Sequence, residues 1–154
     1  MTSILVVDDD KLVRVTLRTM LERAGYAVLE AKDGGEAVEI HPRRRPDLVI
    51  LDIVMPVKDG VRTLLELRGL DVNAKIITMT AGARSGKIDY LALTKRIGAD
   101  GILTKPFSRM SVLTLVGQIL AGAPSGPTLR QRTGASDSRR TRRPGSPRQA
   151  KKTA

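Results

Sequence analysis

The chain has 154 residues, no cysteine, no tryptophan and one histidine, which excludes disulfides and cysteine-ligated metals and argues against a multi-histidine metal site or a nucleophile–His–Asp triad. With aromatics at 2%, a base-stacking platform for single strands is nearly excluded as well. The formal charge of +11 is uneven: residues 1–121 carry 18 Lys and Arg against 15 acids, residues 122–154 carry 9 against one, Asp137.

Ser3–Val7 is a short apolar run, typical of a strand buried on both faces. Residues 11–24 place Val13, Leu17, Met20, Leu21 and Ala24 at helical spacing, with Asp10 as cap and Gly25 as stop. Tyr26–Ala31 reads as a second strand. Asp33 and Glu36 form an N-terminal capping pattern before a short helix. His41 is expected to be exposed, and Arg43–Pro46 to be a solvated basic turn. Asp47–Leu51 is a third strand. Val61–Arg68 is a helix whose ends lie near Gly60 and Gly69, with Asp59 and Gly60 as turn and helix-start residues. Lys75–Thr80 is a fourth strand. Ile88–Ile97 is a helix, with Ile88, Leu91 and Ala92 as its core face. Gly101–Thr104 is a fifth strand, and Ser108 caps a last helix to about Ala121.

Strict alternation of five strands and five helices predicts an α/β fold with a doubly wound parallel sheet and right-handed crossovers. Residues 1–121 are expected to form that domain. Residues 122–154, rich in Gly, Pro, Ser, Thr and Arg, have only Leu129 as a large aliphatic. They are expected to be a disordered basic tail. No apolar run approaches the ~20 residues needed to span a bilayer. The N-terminus lacks the pattern of a signal peptide. A soluble, cytoplasmic protein is expected.

In such sheets the functional groups collect beyond the carboxyl ends of the strands. The strand ends carry Asp8-Asp9-Asp10, Asp52, Thr80 and Lys105. Clustered carboxylates repel unless a cation lies between them, and a hard, oxygen-liking ion such as Mg²⁺ suits them. A carboxylate can take up a phosphoryl group as an acyl phosphate. A metal, the lysine and the threonine hydroxyl would then receive its oxygens.

Four pieces of the sequence carry a resemblance. They are Ile4-Leu5-Val6-Val7-Asp8-Asp9-Asp10, Asp47–Pro56 followed by Asp59-Gly60, Ile76-Ile77-Thr78-Met79-Thr80-Ala81, and Lys105-Pro106-Phe107. In this order, each at a strand end, they resemble the receiver domain of two-component response regulators (the CheY-like superfamily), over residues 3 to about 121. The resemblance implies a flavodoxin-like (βα)5 sheet of strand order 2-1-3-4-5. It implies Asp52 as phosphoacceptor, Asp9 as a direct Mg²⁺ ligand, Asp8 acting largely through water, and the Val54 backbone carbonyl completing the set. Thr80 would bind a phosphoryl oxygen, Lys105 would pair with Asp52 or its phosphate, and the Lys105–Pro106 bond would be cis.

Two departures stand out. Ile102 occupies the position where the family often has a switching aromatic residue. Val54 and Gly82, at the positions that tune dephosphorylation, cannot orient an attacking water, which implies a phosphorylated form that is not unusually short-lived. The glycines of 82–86 suggest a mobile loop over the site.

The resemblance implies a phosphoacceptor rather than an enzyme, one that at most catalyses its own phosphorylation and dephosphorylation. Its partners would be a histidine kinase or phosphotransfer protein and a downstream protein reached through the fourth and fifth helices and fifth strand, as a monomer or a phosphorylation-dependent dimer. An alternative is a receiver-gated nucleic-acid adaptor acting through the basic tail, with steep salt dependence. A Mg²⁺ phosphohydrolase of the haloacid-dehalogenase type is disfavoured, because Val54 stands where such enzymes carry a second Asp.

Overall fold

The computed structural model describes residues 1–55, 59–81 and 90–122. The elements run β1 (Ser3–Val7), α1 (Lys11–Arg23), β2 (Ala27–Ala31), α2 (Gly34–Arg44), β3 (Leu48–Asp52), α3 (Gly60–Leu70), β4 (Ile76–Thr80), α4 (Tyr90–Ile97), β5 (Gly101–Thr104) and α5 (Arg109–Leu120). All strand pairs are parallel, and the sheet order is β2-β1-β3-β4-β5. The expected doubly wound flavodoxin-like architecture is therefore present. Strand order reverses between β1 and β3, which opens a crevice at their carboxyl ends.

Strand residues alternate between the two faces, and each face has its own core. Ile4, Val6, Ile50 and Ile77 pack with Leu17 and Leu21 of α1 and Val112 and Val116 of α5. Leu5, Val7, Val49, Leu51 and Ile76 pack with Ala37 of α2 and Leu64 and Leu67 of α3. The central strands β3 and β4 are buried along their whole length, as continuous apolar runs in a helix-covered sheet require.

Caps set the helix starts. Asp10 accepts from the Leu12 amide, Asp33 from Glu36, Asp59 from Arg62, and Ser108 forms a reciprocal box with Ser111. At the opposite edge, Arg68 donates to the carbonyls of Val72, Ala74 and Gly98 and pairs with Asp100 at 2.8 Å. It thereby joins the ends of α3 and α4.

Three expectations are corrected. The basic segment is not a turn from Arg43: α2 continues to Arg44 with Pro42 inside it, and the reversal comes at Arg45 (φ 42°), whose amide bonds the His41 carbonyl. Pro42 removes one helical donor, but a helix near its end tolerates that loss. Arg43–Arg45 remain exposed. Because the helix continues, His41 is carried inward, and it is only 5% exposed. On α4, Ala92 is exposed and Thr94 buried; two positions are ~200° around a helix, so the inward face is the one Thr94 occupies. Among the expectations, Pro56, the 82–86 loop with Gly82, the Ile88 start of the fourth helix and residues 123–154 lie outside the described residues.

Candidate functional site

The site is built from strand ends at the crevice. Asp8 follows β1 directly, and its amide donates to the Ala31 carbonyl of β2 at 3.2 Å. Asp52 closes β3, Thr80 closes β4, and Lys105 follows β5. The Lys105 amide donates to the Thr80 carbonyl at 2.7 Å, which extends the β4–β5 ladder past its last paired residues. The Lys105–Pro106 bond is cis.

The side chains meet across this edge. Lys105 Nζ donates to Asp8 Oδ2 at 3.0 Å and to Asp52 Oδ2 at 3.3 Å. Carboxylate oxygens of Asp8, Asp9 and Asp52 all lie within 4.8 Å of one another. Asp8 is fully buried and Asp52 5% exposed, while Asp9 is exposed. Local bonds orient the acids: Asp8 Oδ1 accepts from the Asp10 amide at 2.9 Å, and Asp52 Oδ1 accepts from the Val54 amide at 3.1 Å. Val54 itself is 53% exposed at the rim.

Three carboxylates face one ammonium, so the site carries an excess of negative charge. Burial, then the Asp8 charge, push the Asp52 carboxyl up to about 6, against the pull of Lys105 and the Val54 amide. Burial works against the Lys105 ammonium, but its bonds to Asp8 and Asp52 and their charges override that and hold the amine above its ordinary range. The donor set is all oxygen, partly open to water through Asp9, and short of positive charge. That is the chemistry of a hard divalent cation site, and the residues fit Mg²⁺.

The Thr80 hydroxyl is buried with no hydrogen-bond partner among the described residues. A buried hydroxyl left unpaired costs about 1–3 kcal/mol, and at the carboxyl end of β4 it is available to an incoming oxygen. The Thr78 hydroxyl is unpaired in the same way, one pleat deeper in β4.

Gly60 starts α3 as expected and also lies against the end of β3, its amide donating to the Ile53 carbonyl at 2.8 Å. One residue was missed in the sequence. Arg14, in α1, reaches back with Nη1 to the Asp8 carbonyl at 2.8 Å and the Asp9 carbonyl at 3.4 Å. Neither a glycine at a helix start nor one arginine on a helix face signals such a contact by itself. Ile102 is half-buried and lines a groove of about 1100 Å³ between α4 and α5, together with Lys95, Leu103, Met110, Leu115 and Gln118.

Comparison with known proteins agrees with this geometry. Residues 4–117 match the response regulator receiver domain. The chain is 41% identical over 121 residues to protein CcdB of Bacillus subtilis, covering 78% of this chain and 98% of that protein. It is 38% identical over 117 residues to the chemotaxis protein CheY of Halobacterium salinarum, covering 76% and 95% respectively. The solved structure of chemotaxis protein CheY4 of Vibrio cholerae superposes with a TM-score of 0.71 at 30% identity, over 77% of this chain and 98% of that one.

Proposed function

The chain belongs to the response regulator receiver family, and from that premise we propose that it is a phosphoacceptor, modified on Asp52 and signalling through a changed surface. In this reading residues 1–121 are the receiver and residues 122–154 a basic appendage. The observation that carries it is the convergence of Asp8, Asp9 and Asp52 within 4.8 Å, with the Lys105 ammonium bonded to Asp8 and Asp52.

The donor is a phosphohistidine of a kinase or phosphotransfer protein. A carboxylate oxygen of Asp52 attacks phosphorus, an O–P bond forms, and the P–N bond breaks. The imidazole leaves with the electron pair and takes up a proton from water. Asp8, Asp9, Asp52 and the Val54 carbonyl would hold Mg²⁺, which when bound supplies positive charge to the phosphoryl oxygens. Lys105 receives a second oxygen and offsets the negative charge that the phosphoryl group brings to the site. The unpaired Thr80 hydroxyl donates to a third. Exposed Leu12 (73%) and Val54 (53%), close in sequence to the acids, offer the donor protein apolar contact.

Phosphorylation shifts an existing equilibrium toward the state in which Thr80 is engaged. β4 carries that pull to β5 through the Lys105–Thr80 backbone bond. The groove lined by Ile102 and Met110 is the surface we assign to the downstream protein. No described helix is long and apolar enough to cross a membrane.

The test is intact mass after incubation with Mg²⁺ and an acyl phosphate donor, with Asp52→Asn as control. One phosphoryl adduct is expected, absent from the variant and from protein stripped with chelator. An adduct on Asp52→Asn would overturn the assignment.

A further inference from the structure

We propose that Arg14 is a positioning residue for the acidic pair. It braces the backbone of Asp8 and Asp9 so that both carboxylates stand ready for a cation. This rests on the metal-site reading above.

The Arg14 side chain is only 15% exposed, although it lies on a surface helix. Its Nη1 donates to the Asp8 and Asp9 carbonyls at 2.8 and 3.4 Å. Its Nε donates to Glu30 Oε1 at 3.3 Å. Glu30 is held in turn by Arg18 at 3.0 Å, and Arg18 by Glu22 at 2.9 Å. The acidic turn is thus tied to β2 by one guanidinium that spans both. A guanidinium has fixed, planar donors, so its orientation sets the direction of every bond it makes. Asp8 is pinned from three further sides: its amide to Ala31, its Oδ1 to the Asp10 amide, its Oδ2 to Lys105. The exposed Asp9 has no such side-chain tie among the described hydrogen bonds, so the Arg14 bond to its carbonyl is what restrains its backbone from the helix side. Partners that orient a ligand in this way are commonly worth ten-fold or more in metal affinity.

Charge and position make opposite predictions. A cation this close to a metal site repels the metal, so removing the Arg14 charge would tighten binding if charge were its main effect. If Arg14 acts by bracing the turn, its removal loosens binding. The sign of one measurement separates them.

The experiment is calorimetric Mg²⁺ titration of the full chain as wild type, Arg14→Gln, Arg14→Lys and Glu30→Gln, with urea unfolding of each. Arg14→Gln is expected to bind about ten-fold more weakly. Arg14→Lys keeps the charge without the planar fork and is expected to be weakened alike. Glu30→Gln is expected to weaken binding by a smaller factor, and the Arg14→Gln/Glu30→Gln double variant no more than Arg14→Gln alone. Unchanged or tighter Mg²⁺ binding by Arg14→Gln overturns the proposal, even if its stability falls. Should Arg14→Gln fail to fold, Glu30→Gln decides, since it leaves the Arg14 charge in place; unchanged affinity there overturns the proposal. A wild type that binds no Mg²⁺ overturns the metal site itself.

Discussion

Gly60 leaves no space for a side chain beside Asp52. A Cβ on Gly60 would fall 2.1 Å from the Asp52 carbonyl oxygen and 2.4 Å from the Ile53 Cα. The obstacle is backbone, which cannot swing aside. Gly60→Ala is expected to destabilise by at least about 1–3 kcal/mol and to slow phosphorylation, because relief must come from moving Asp52, the proposed phosphoacceptor. Gly69, in the same helix, meets nothing within 4 Å. Gly69→Ala is expected to stabilise by about 0.5–1 kcal/mol. Urea midpoints of the pair check both signs.

The raised Asp52 carboxyl sets a pH dependence. The folded protein holds that proton up to about 6, the unfolded chain only to its ordinary 3.8. Between those values the native state binds more protons, so this group's contribution to stability falls as pH rises through the window. Above it, the ionised carboxylate is a constant burden. Asp52→Asn is therefore expected to be more stable than wild type at neutral pH without divalent cation, by about 1–3 kcal/mol. The two should converge near pH 4, below which both carry a neutral side chain. Mg²⁺ should narrow the neutral-pH gap, because wild type offers it one carboxylate more and gains more from binding it. Denaturation at two pH values, with and without Mg²⁺, reads all of this; a variant less stable at both would refute it.

The two unpaired threonines differ in what they await. Thr78→Val removes a buried hydroxyl without a described partner and is expected to raise stability by about 1 kcal/mol, leaving any phosphorylation-induced stabilisation intact. Thr80→Val is expected to raise the stability of the unphosphorylated protein similarly, but to abolish most of the additional gain on phosphorylation. Melting temperatures with and without acyl phosphate separate the two.

His41 carries the opposite linkage to Asp52. Burial holds its imidazole below the ordinary 6.5, with the Asp71 charge pulling the other way. The unfolded chain therefore takes the proton first as pH falls. Stability from this group is complete above about 6.5 and declines through the window below it. His41→Gln is expected to flatten the acid limb of the stability profile, measured as the difference in urea midpoint between mildly acidic and neutral pH.

The sequence shows the strands and their chemistry in the same few residues. Each of Asp8, Asp52, Thr80 and Lys105 follows an apolar run that only a buried parallel strand explains, so fold and candidate site were legible together. His41 was misread because Pro42 suggested a break, whereas the helix runs on to Arg44 and turns the ring inward. Arg14, and the packing of Gly60 against β3, were missed for a different reason. Their contacts are with backbone atoms, and a backbone atom looks the same whatever residue carries it. Ala92 was placed inward because the helical face was chosen by hydrophobicity, whereas the inward face of α4 carries Thr94 together with Ile97.

Lys105 and Asp8 are 97 positions apart in the chain, and the bond between them closes only when the last strand has joined the sheet. A growing or partly unfolded chain has the acids but not their counter-charge. In the proposed reading, competence to receive a phosphoryl group is thus a property of the finished molecule, absent until the last strand is in place.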